Sequence, residues 1–450
     1  MRGFLASSIG VTCAAALALP LTLPATSHAA PAPTPVQESL PGTTQSLALA
    51  PLAATRAAGN GAAGEQGLPQ RDVRPFSLVG VVWDDLSAEL HGQVQVRTRT
   101  TGTTTTTWSA WQDLETHNDD APDLDTPERA SGHVHGSTAP LWVGDSDGVE
   151  VRVKADAPAA TRAAAAPEPL LPRGLRLELV DPGDEPAQGA PADGPRGVSL
   201  TAEAAASSAV NAELAPLGAT AVPALTKKAT EDELIEARGG DAALTKARPY
   251  VGARPRIVTR KGWGANEKLR ERDFVYTKVV KAAFVHHSAS GNNYRCSQAP
   301  SVIRSIYRYH VKSSGWRDIG YNFVVDKCGT IYEGRAGGIA KPVMGAHTLG
   351  FNTNSMGIAV LGSFNGSNPP AAALNAIARL TAWKLGLYGA NPRGTTYLKS
   401  GGGNLYRKGK NVRLHVISGH RDGFATECPG RRLYKKLGKA RSSSARLQGR

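Results

Sequence analysis

The sequence predicts an α/β domain, with a central mixed sheet and packed helices, preceded by a small all-β sandwich-like domain. Between residues 254 and 440, apolar strand segments alternate with amphipathic helical segments, which is typical of an α/β sheet. Between residues 71 and 183, short runs of alternating polarity are separated by turn residues, at the spacing expected of an antiparallel sandwich. A chain of 450 residues is also too long for a single core.

The chain begins with a predicted secretory signal peptide, residues 1–30. A single arginine precedes an apolar stretch from Phe4 to about Leu23, and small residues at Ser27 and Ala29 suit a cleavage site. The alternative is that the apolar segment stays as a membrane anchor. No later segment approaches the roughly 18 apolar residues that a membrane-spanning helix needs. We therefore expect a secreted protein with no transmembrane segment after cleavage. We also expect it to be a monomer.

Three segments differ in composition from the two domains. Residues 31–70 are rich in Ala, Pro, Thr and Gly without periodicity, which predicts a disordered leader. Residues 184–253 form a predicted linker that includes one short helix behind an N-cap at Thr230. Residues 441–450 form a predicted basic tail.

Individual elements follow from the same patterns. The predicted strands of the all-β domain are residues 77–83, 93–99, 141–144, 149–153 and 175–180. In the α/β domain, the predicted strands are residues 279–285, 357–362 and 414–417, with a hairpin formed by residues 321–326 and 330–333. The predicted helices are residues 298–312 and 374–388, each with one apolar face.

The charge is divided unevenly between the two halves of the chain. Residues 251–450 carry 34 Lys and Arg against 8 Asp and Glu, a net charge of +26. Subtracting these from the chain totals of 52 and 38 leaves 18 against 30, a net charge of −12 for residues 1–250. Because an exported protein seldom meets nucleic acid, the predicted partner of the basic half is an anionic cell-wall polymer or membrane surface. The alternative is a solvated basic surface with no specific partner.

Histidine and cysteine residues predict a metal centre in the α/β domain. Cys428 follows His420 by eight residues in a loop after the last strand, and an earlier strand ends in His286 and His287. Adjacent residues on a strand point to opposite faces, so only one of that pair can join the site, and the spacing does not decide which. Two imidazoles and a thiolate suit zinc and leave a fourth position for water.

The other three cysteines are a signal-peptide residue and a candidate disulfide pair. Cys13 lies in the signal peptide. If Cys428 is a ligand, Cys296 and Cys328 remain as an even pair in an oxidising compartment, which predicts a disulfide. The alternative is two buried free thiols.

Seven sequence blocks occur in one order and together resemble the peptidoglycan-recognition protein family, which includes type-2 N-acetylmuramoyl-L-alanine amidases and a bacteriophage amidase lysozyme. The blocks are residues 257–265, 284–288, 318–323, 329–335, 345–348, 354–358 and 419–430. The resemblance covers roughly residues 255–438. It implies peptidoglycan as the partner and Zn²⁺ as the cofactor.

The resemblance also implies roles for individual residues. The family's zinc ligands correspond to His286, His420 and Cys428, and its catalytic tyrosine corresponds to Tyr321. A second catalytic position corresponds to Thr426, where the bacteriophage enzyme has lysine. The residues expected to contact substrate are His347, Asn352 and Asn354.

The predicted function is therefore zinc-dependent hydrolysis of the amide between the muramic lactyl group and L-alanine. The main alternative is a non-catalytic peptidoglycan-binding protein. Cys428 and Tyr321 argue against it, because the resemblance implies that non-enzymatic members often lack the cysteine. A zinc peptidase would share the metal chemistry, but the sequence has no helical His-Glu-x-x-His motif.

Overall fold

The structure is a computed structural model that describes residues 42–52, 64–102, 107–116, 120–156, 171–184, 200–239 and 248–450. The predicted signal peptide, residues 1–30, lies outside the described residues. Among the residues that are described, no helix is long and apolar enough to cross a membrane.

The N-terminal part is all-β, as predicted, and its strands form one connected antiparallel sheet. The strands are β1 (Thr44–Ala48), β2 (Ala50–Pro51), β3 (Glu65–Trp83), β4 (Gly92–Thr100), β5 (Gln112–Leu114), β6 (Gly136–Ser137), β7 (Leu141–Ala155) and β8 (Arg176–Val180). Their order is β1-β8-β3-β7-β4-β5, and β2 and β6 also pair with β3. The register between β3 and β7 shifts at three places, so both long strands are irregular there. Helix α1 (Pro127–Ala130) is a single turn between β5 and β6.

The prediction of a disordered leader over residues 31–70 is wrong for the two stretches that form β1, β2 and the beginning of β3. Strand β1 pairs along its whole length with β8, from Thr44 opposite Val180 to Ala48 opposite Arg176. Pairing with an existing sheet satisfies the backbone of a segment whose own composition gives no periodic signal.

The predicted linker, residues 184–253, also contains ordered elements. These are α2 (Ala202–Ala209), β9 (Ala221–Val222) and α3 (Lys227–Ala237). The N-cap of α3 is Thr226, not Thr230, because the Thr226 side chain accepts a hydrogen bond from the backbone N–H of Ala229. Thr230 lies inside the helix and donates to the carbonyl of Thr226. The segment is therefore part of the α/β domain, to which β9 adds an edge strand.

The C-terminal part is built on a mixed seven-stranded sheet of order β17-β11-β14-β12-β13-β10-β9. Its other strands are β10 (Ile257–Val258), β11 (Ala282–His287), β12 (Phe323–Val325), β13 (Ile331–Glu333), β14 (Ser355–Val360) and β17 (Ile417–Gly419). Strands β11, β14 and β17 are parallel neighbours, and β12 with β13 forms the predicted antiparallel hairpin. Strands β15 (Thr395–Lys399) and β16 (Asn411–His415) form a separate hairpin.

Helices cover both faces of this sheet. Helix α4 (Ala299–Arg308) packs on one face, through Val302 and Ile303. Helices α5 (Ala371–Leu387) and α7 (Leu437–Gln448) pack on the other, with the short α6 (Arg431–Tyr434) between them in sequence. The predicted basic tail, residues 441–450, is thus largely helical, because Ala440 and Ala445 are buried on one side of α7.

The two domains share an apolar core. Leu78, Val82, Trp142 and Val180 of the N-terminal sheet lie in the same buried cluster as the apolar face of α4. The approach is close because a Cβ at Gly80 would lie 2.4 Å from the ring of Tyr309. The Tyr309 hydroxyl is also hydrogen-bonded to the carbonyl of Thr138, at 3.1 Å. The described part of the chain beyond residue 38 is accordingly one compact unit.

Cys296 and Cys328 form a disulfide, with 32 residues of sequence separation. The bond joins the start of α4 to the turn of the β12–β13 hairpin. Cys428 is a free, buried cysteine.

Candidate metal centre

The alternation of β11 sends its two terminal histidines in different directions. The structure brings His286 into the candidate cluster, whereas the His287 ring contacts the Glu115 carboxylate at 3.1 Å. Both side chains are buried. The ambiguity between the two residues is thus resolved in favour of His286.

His420 and Cys428 reach the same place from the other side. Strand β17 runs parallel to β11 and ends at Gly419, so His420 follows directly at the same sheet edge, with its ring centroid 4.6 Å from that of His286. The loop then returns, held by a hydrogen bond from Arg421 N–H to the carbonyl of Cys428. One ligand atom each of His286, His420 and Cys428 lies within 4.8 Å of the others.

A carboxylate from the N-terminal domain contacts both histidines of the cluster. Asp120 Oδ1 lies 3.1 Å from Nδ1 of His286 and 3.3 Å from Nδ1 of His420. Asp120 Oδ2 accepts a hydrogen bond of 2.5 Å from the hydroxyl of Tyr321. Nothing in the sequence around Asp120 predicts this position, since a polar loop in another domain carries no local signal of such a role.

The cluster fits a zinc ion by two tests. First, Asp120 Oδ1 and both ring nitrogens of His420 are buried and have no hydrogen-bond partner among the described residues. Buried polar atoms normally have such a partner, and a bound cation would supply one here. Second, zinc–nitrogen and zinc–sulfur bonds of about 2.0 to 2.3 Å give a tetrahedron with edges of about 3.3 to 3.7 Å. The two contacts of Asp120 and the 3.7 Å between Cys428 Sγ and His286 Nδ1 are close to those lengths.

Burial tunes the protonation of these groups. Burial lowers the pKa of His420 to about 3, which keeps the imidazole neutral and able to bind a metal. Burial raises the pKa of the Cys428 thiol well above its ordinary value, and the charge of Asp120 raises it further. Burial likewise raises the pKa of Tyr321, again with Asp120 adding to the effect, so its hydroxyl stays protonated.

Neighbouring polar groups orient the His286 ring. Its Nε2 lies 3.4 Å from the hydroxyl of Thr348, which in turn contacts Nδ1 of His347 at 3.0 Å. A partner on Nε2 leaves the Nδ1 lone pair directed at the cluster. His347 is completely buried and its ring packs edge-on against His286, at 5.2 Å between centroids.

The other predicted site residues, Asn352, Asn354 and Thr426, differ in how they are connected to the cluster. The Asn352 side chain accepts hydrogen bonds from the backbone N–H groups of His347 and Thr348 and donates to Asp123. Asn354 stands at the start of β14 in a left-handed conformation, φ 59°, and no described contact links it to the cluster. The Thr426 hydroxyl accepts the N–H of Cys428 at 3.2 Å, which orders the ligand loop.

The segment that follows Asp120 lies along the same edge of the α/β domain. We call residues 120–130 the acidic strap. Asp123 Oδ1 accepts hydrogen bonds of 2.7 Å from Gly350 N–H and from the Asn352 amide. Glu128 forms a bidentate ion pair with Arg335, with both distances 2.9 Å and both side chains buried. At the surface, Asp125 contacts Lys408 at 2.6 Å.

Two protein families match the sequence. The family described as N-acetylmuramoyl-L-alanine amidase matches residues 276–431, and the one described as Rv3811 N-terminal galactose-binding domain-like matches residues 29–170. Peptidoglycan-recognition protein SC1a of Drosophila melanogaster is 34% identical over 192 residues, which are 42% of this chain and 87% of that protein. Peptidoglycan-recognition protein SC2 of Drosophila simulans is 29% identical over 183 residues, 40% of this chain and 84% of that protein. The N-acetylmuramoyl-L-alanine amidase of Homo sapiens is 31% identical over 188 residues, 41% of this chain and 28% of that protein.

Fold and cluster thus define an α/β protein with a candidate metal centre at the carboxyl ends of two parallel strands, joined to an all-β domain. The matches give the family. The chain belongs to the peptidoglycan-recognition protein and type-2 N-acetylmuramoyl-L-alanine amidase family, which confirms the resemblance seen in its motifs.

Proposed function

We propose that the chain is a secreted, zinc-dependent N-acetylmuramoyl-L-alanine amidase that hydrolyses the lactyl–L-alanine amide of bacterial peptidoglycan. The observation that carries the proposal is the meeting of His286, His420 and Cys428, with the Tyr321 hydroxyl beside them. A non-catalytic binding protein would have no need of a buried thiol next to two buried imidazoles. The net charge of +26 on residues 251–450 supports attraction to anionic cell-wall polymers.

His286, His420 and Cys428 would hold the zinc. A zinc ion in such a site acts as a Lewis acid and makes water acidic enough to act as a nucleophile near neutral pH. The chain's own groups do the rest. Thr348 fixes the ring of His286, Thr426 orders the loop that carries Cys428, and the protonated Tyr321 hydroxyl donates a hydrogen bond to the oxygen that becomes negative. We also propose that His347, Asn352 and Asn354 contact the substrate.

The proposal is tested by digesting purified peptidoglycan with full-length protein of measured zinc content. Because Asp120 contacts two of the proposed ligands, the Asp120→Ala variant is assayed in parallel. New N-terminal alanine supports the amidase. New reducing sugar ends would indicate a glycosidase. If zinc-loaded wild type and the zinc-loaded variant both release neither product, the chain is the non-catalytic binding protein.

Replacing Tyr321 with phenylalanine is expected to lower kcat about 100-fold while the zinc content stays the same. The change removes one hydroxyl and keeps the buried ring, and the loss of one such hydrogen-bond donor costs about 10²- to 10³-fold in kcat. Alanine release and zinc stoichiometry are measured on the same preparation, in the Asp120→Ala background, with Tyr309→Phe as a matched control on a buried tyrosine outside the cluster. Full activity in the Tyr321 variant would remove this residue from the mechanism.

A further inference from the structure

Asp120 has the arrangement of a carboxylate ligand that uses one oxygen. Its Oδ1 faces two imidazole nitrogens at 3.1 and 3.3 Å without a hydrogen-bond partner among the described residues. Its Oδ2 is held by the hydroxyl of Tyr321. Carboxylates that bind metals are commonly fixed by such an outer hydrogen bond on the second oxygen.

The charge balance of the cluster also supports Asp120 as a metal ligand. The side chains of Asp120, His286 and His420 are fully buried, at 0% exposure. A divalent cation with two neutral imidazoles and one thiolate keeps a net charge of +1, which is costly to bury. Adding the Asp120 carboxylate brings the net charge to zero. The closed cluster therefore suits a buried centre better than three ligands alone.

The strap occupies the edge of the α/β domain beside the cluster. Asn352 is one of the residues expected to contact substrate, and its side-chain amide already donates to the carbonyl of Ala121 and to Asp123. Arg335, on the same edge, is neutralised by Glu128. Strap carboxylates thus take donors and cations that would otherwise be available to an anionic cell-wall ligand.

We propose that Asp120 is a fourth metal ligand and that the strap holds the chain in a latent state. The carboxylate takes the position that water needs for hydrolysis, since four protein ligands are typical of a structural zinc site and three of a catalytic one. The same segment occupies the side-chain amide of Asn352, which is one of the residues expected to contact substrate. Activity then requires that the strap leave the cluster. This inference rests on the proposed function for its consequence, but the ligand itself can be tested without turnover.

The ligand is tested on the full-length chain by zinc titration and by cobalt substitution. Asp120→Ala is expected to weaken zinc binding by more than about 10-fold, since removal of even an outer-shell partner costs about 10- to 100-fold in metal affinity. Cobalt-loaded wild type is expected to keep its visible absorption spectrum when azide is added, whereas the variant changes its spectrum because a position has opened. The matched control is Asp125→Asn, which alters the exposed contact with Lys408 on the same strap and should behave as wild type in both measurements.

If the alanine variant does not fold, Asp120→Asn takes its place in these measurements. Asparagine has nearly the shape of aspartate and keeps an oxygen that can accept the hydrogen bond from Tyr321. Equal zinc affinity and equal spectra in wild type and the Asp120 variant would overturn the ligand assignment. Latency is tested by alanine release from peptidoglycan, expected to be at least tenfold faster in Asp120→Ala. Wild type that is as fast as the variant would overturn latency. Spectra that change as expected, with no alanine released by any variant, would leave Asp120 as a ligand and refute the amidase.

Discussion

Replacing Cys428 with alanine is expected to lower zinc affinity by more than about 100-fold and to abolish alanine release from peptidoglycan. The thiolate is the one anionic ligand that the α/β domain itself supplies to the cluster. Loss of outer-shell partners alone costs about 10- to 100-fold in metal affinity, so loss of a direct ligand costs more. Zinc content after dialysis and alanine release measure the two effects on one sample.

The neighbouring residue provides the control for this substitution. Glu427→Gln changes an exposed side chain whose carboxylate lies 3.6 Å from Arg421, so zinc content and turnover are expected to stay at wild-type levels. A Cys428→Ala protein that retained zinc and activity would contradict the assignment of the metal centre. Because Cys428 is fully buried, near-ultraviolet circular dichroism is needed to show that the variant keeps its fold.

Replacing Glu128 with alanine is expected to lower the free energy of unfolding by about 3 to 5 kcal/mol. The substitution leaves the guanidinium of Arg335 without its bidentate partner at a site where both side chains are buried, and an unpaired buried charge carries that penalty. Denaturant unfolding measures the change, and the midpoint should fall while the dependence on denaturant concentration stays the same.

Two companion variants separate the charge effect from general damage to the strap. Asp125→Asn removes an ion pair in which both side chains are more than half exposed, so its expected cost is about 0 to 1 kcal/mol. Adding Arg335→Met to Glu128→Ala should recover much of the loss, because no charge then remains unpaired. A Glu128→Ala protein as stable as Asp125→Asn would show that Arg335 finds adequate compensation from the carbonyls around it.

The parts of the site that lie on one domain could be predicted from sequence. His420 and Cys428 share one loop, and the ordered motifs supplied His286 as their partner. Spacing alone could not choose between His286 and His287, because that choice depends on which face of β11 meets the ligand loop. The open fourth position at the cluster stays a prediction, and our proposal places Asp120 there because its Oδ1 lies 3.1 and 3.3 Å from Nδ1 of His286 and His420.

Asp120 could not be predicted because its role depends on how two domains pack. Its neighbours in sequence are typical of an exposed turn, and the groups that it meets, His286 and Tyr321, lie 166 and 201 positions later. The leader and linker were misjudged for a related reason. Strand β1 is stabilised by β8, and β9 by β10, so their order comes from tertiary pairing and not from local pattern.

The apolar core shared by the N-terminal sheet and α4 has a consequence for how the molecule opens. Because residues of both domains pack in one apolar cluster, we expect the two domains to unfold together, and calorimetry of the full-length chain should record a single heat-absorption peak. No residue of the strap belongs to any of the apolar clusters, and its side-chain hydrogen bonds and ion pairs with the α/β domain are made by Asp120, Asp123, Asp125 and Glu128. Release of the strap would therefore break the buried Glu128–Arg335 pair and the hydrogen bonds of Asp123, while it leaves the apolar clusters of both domains intact.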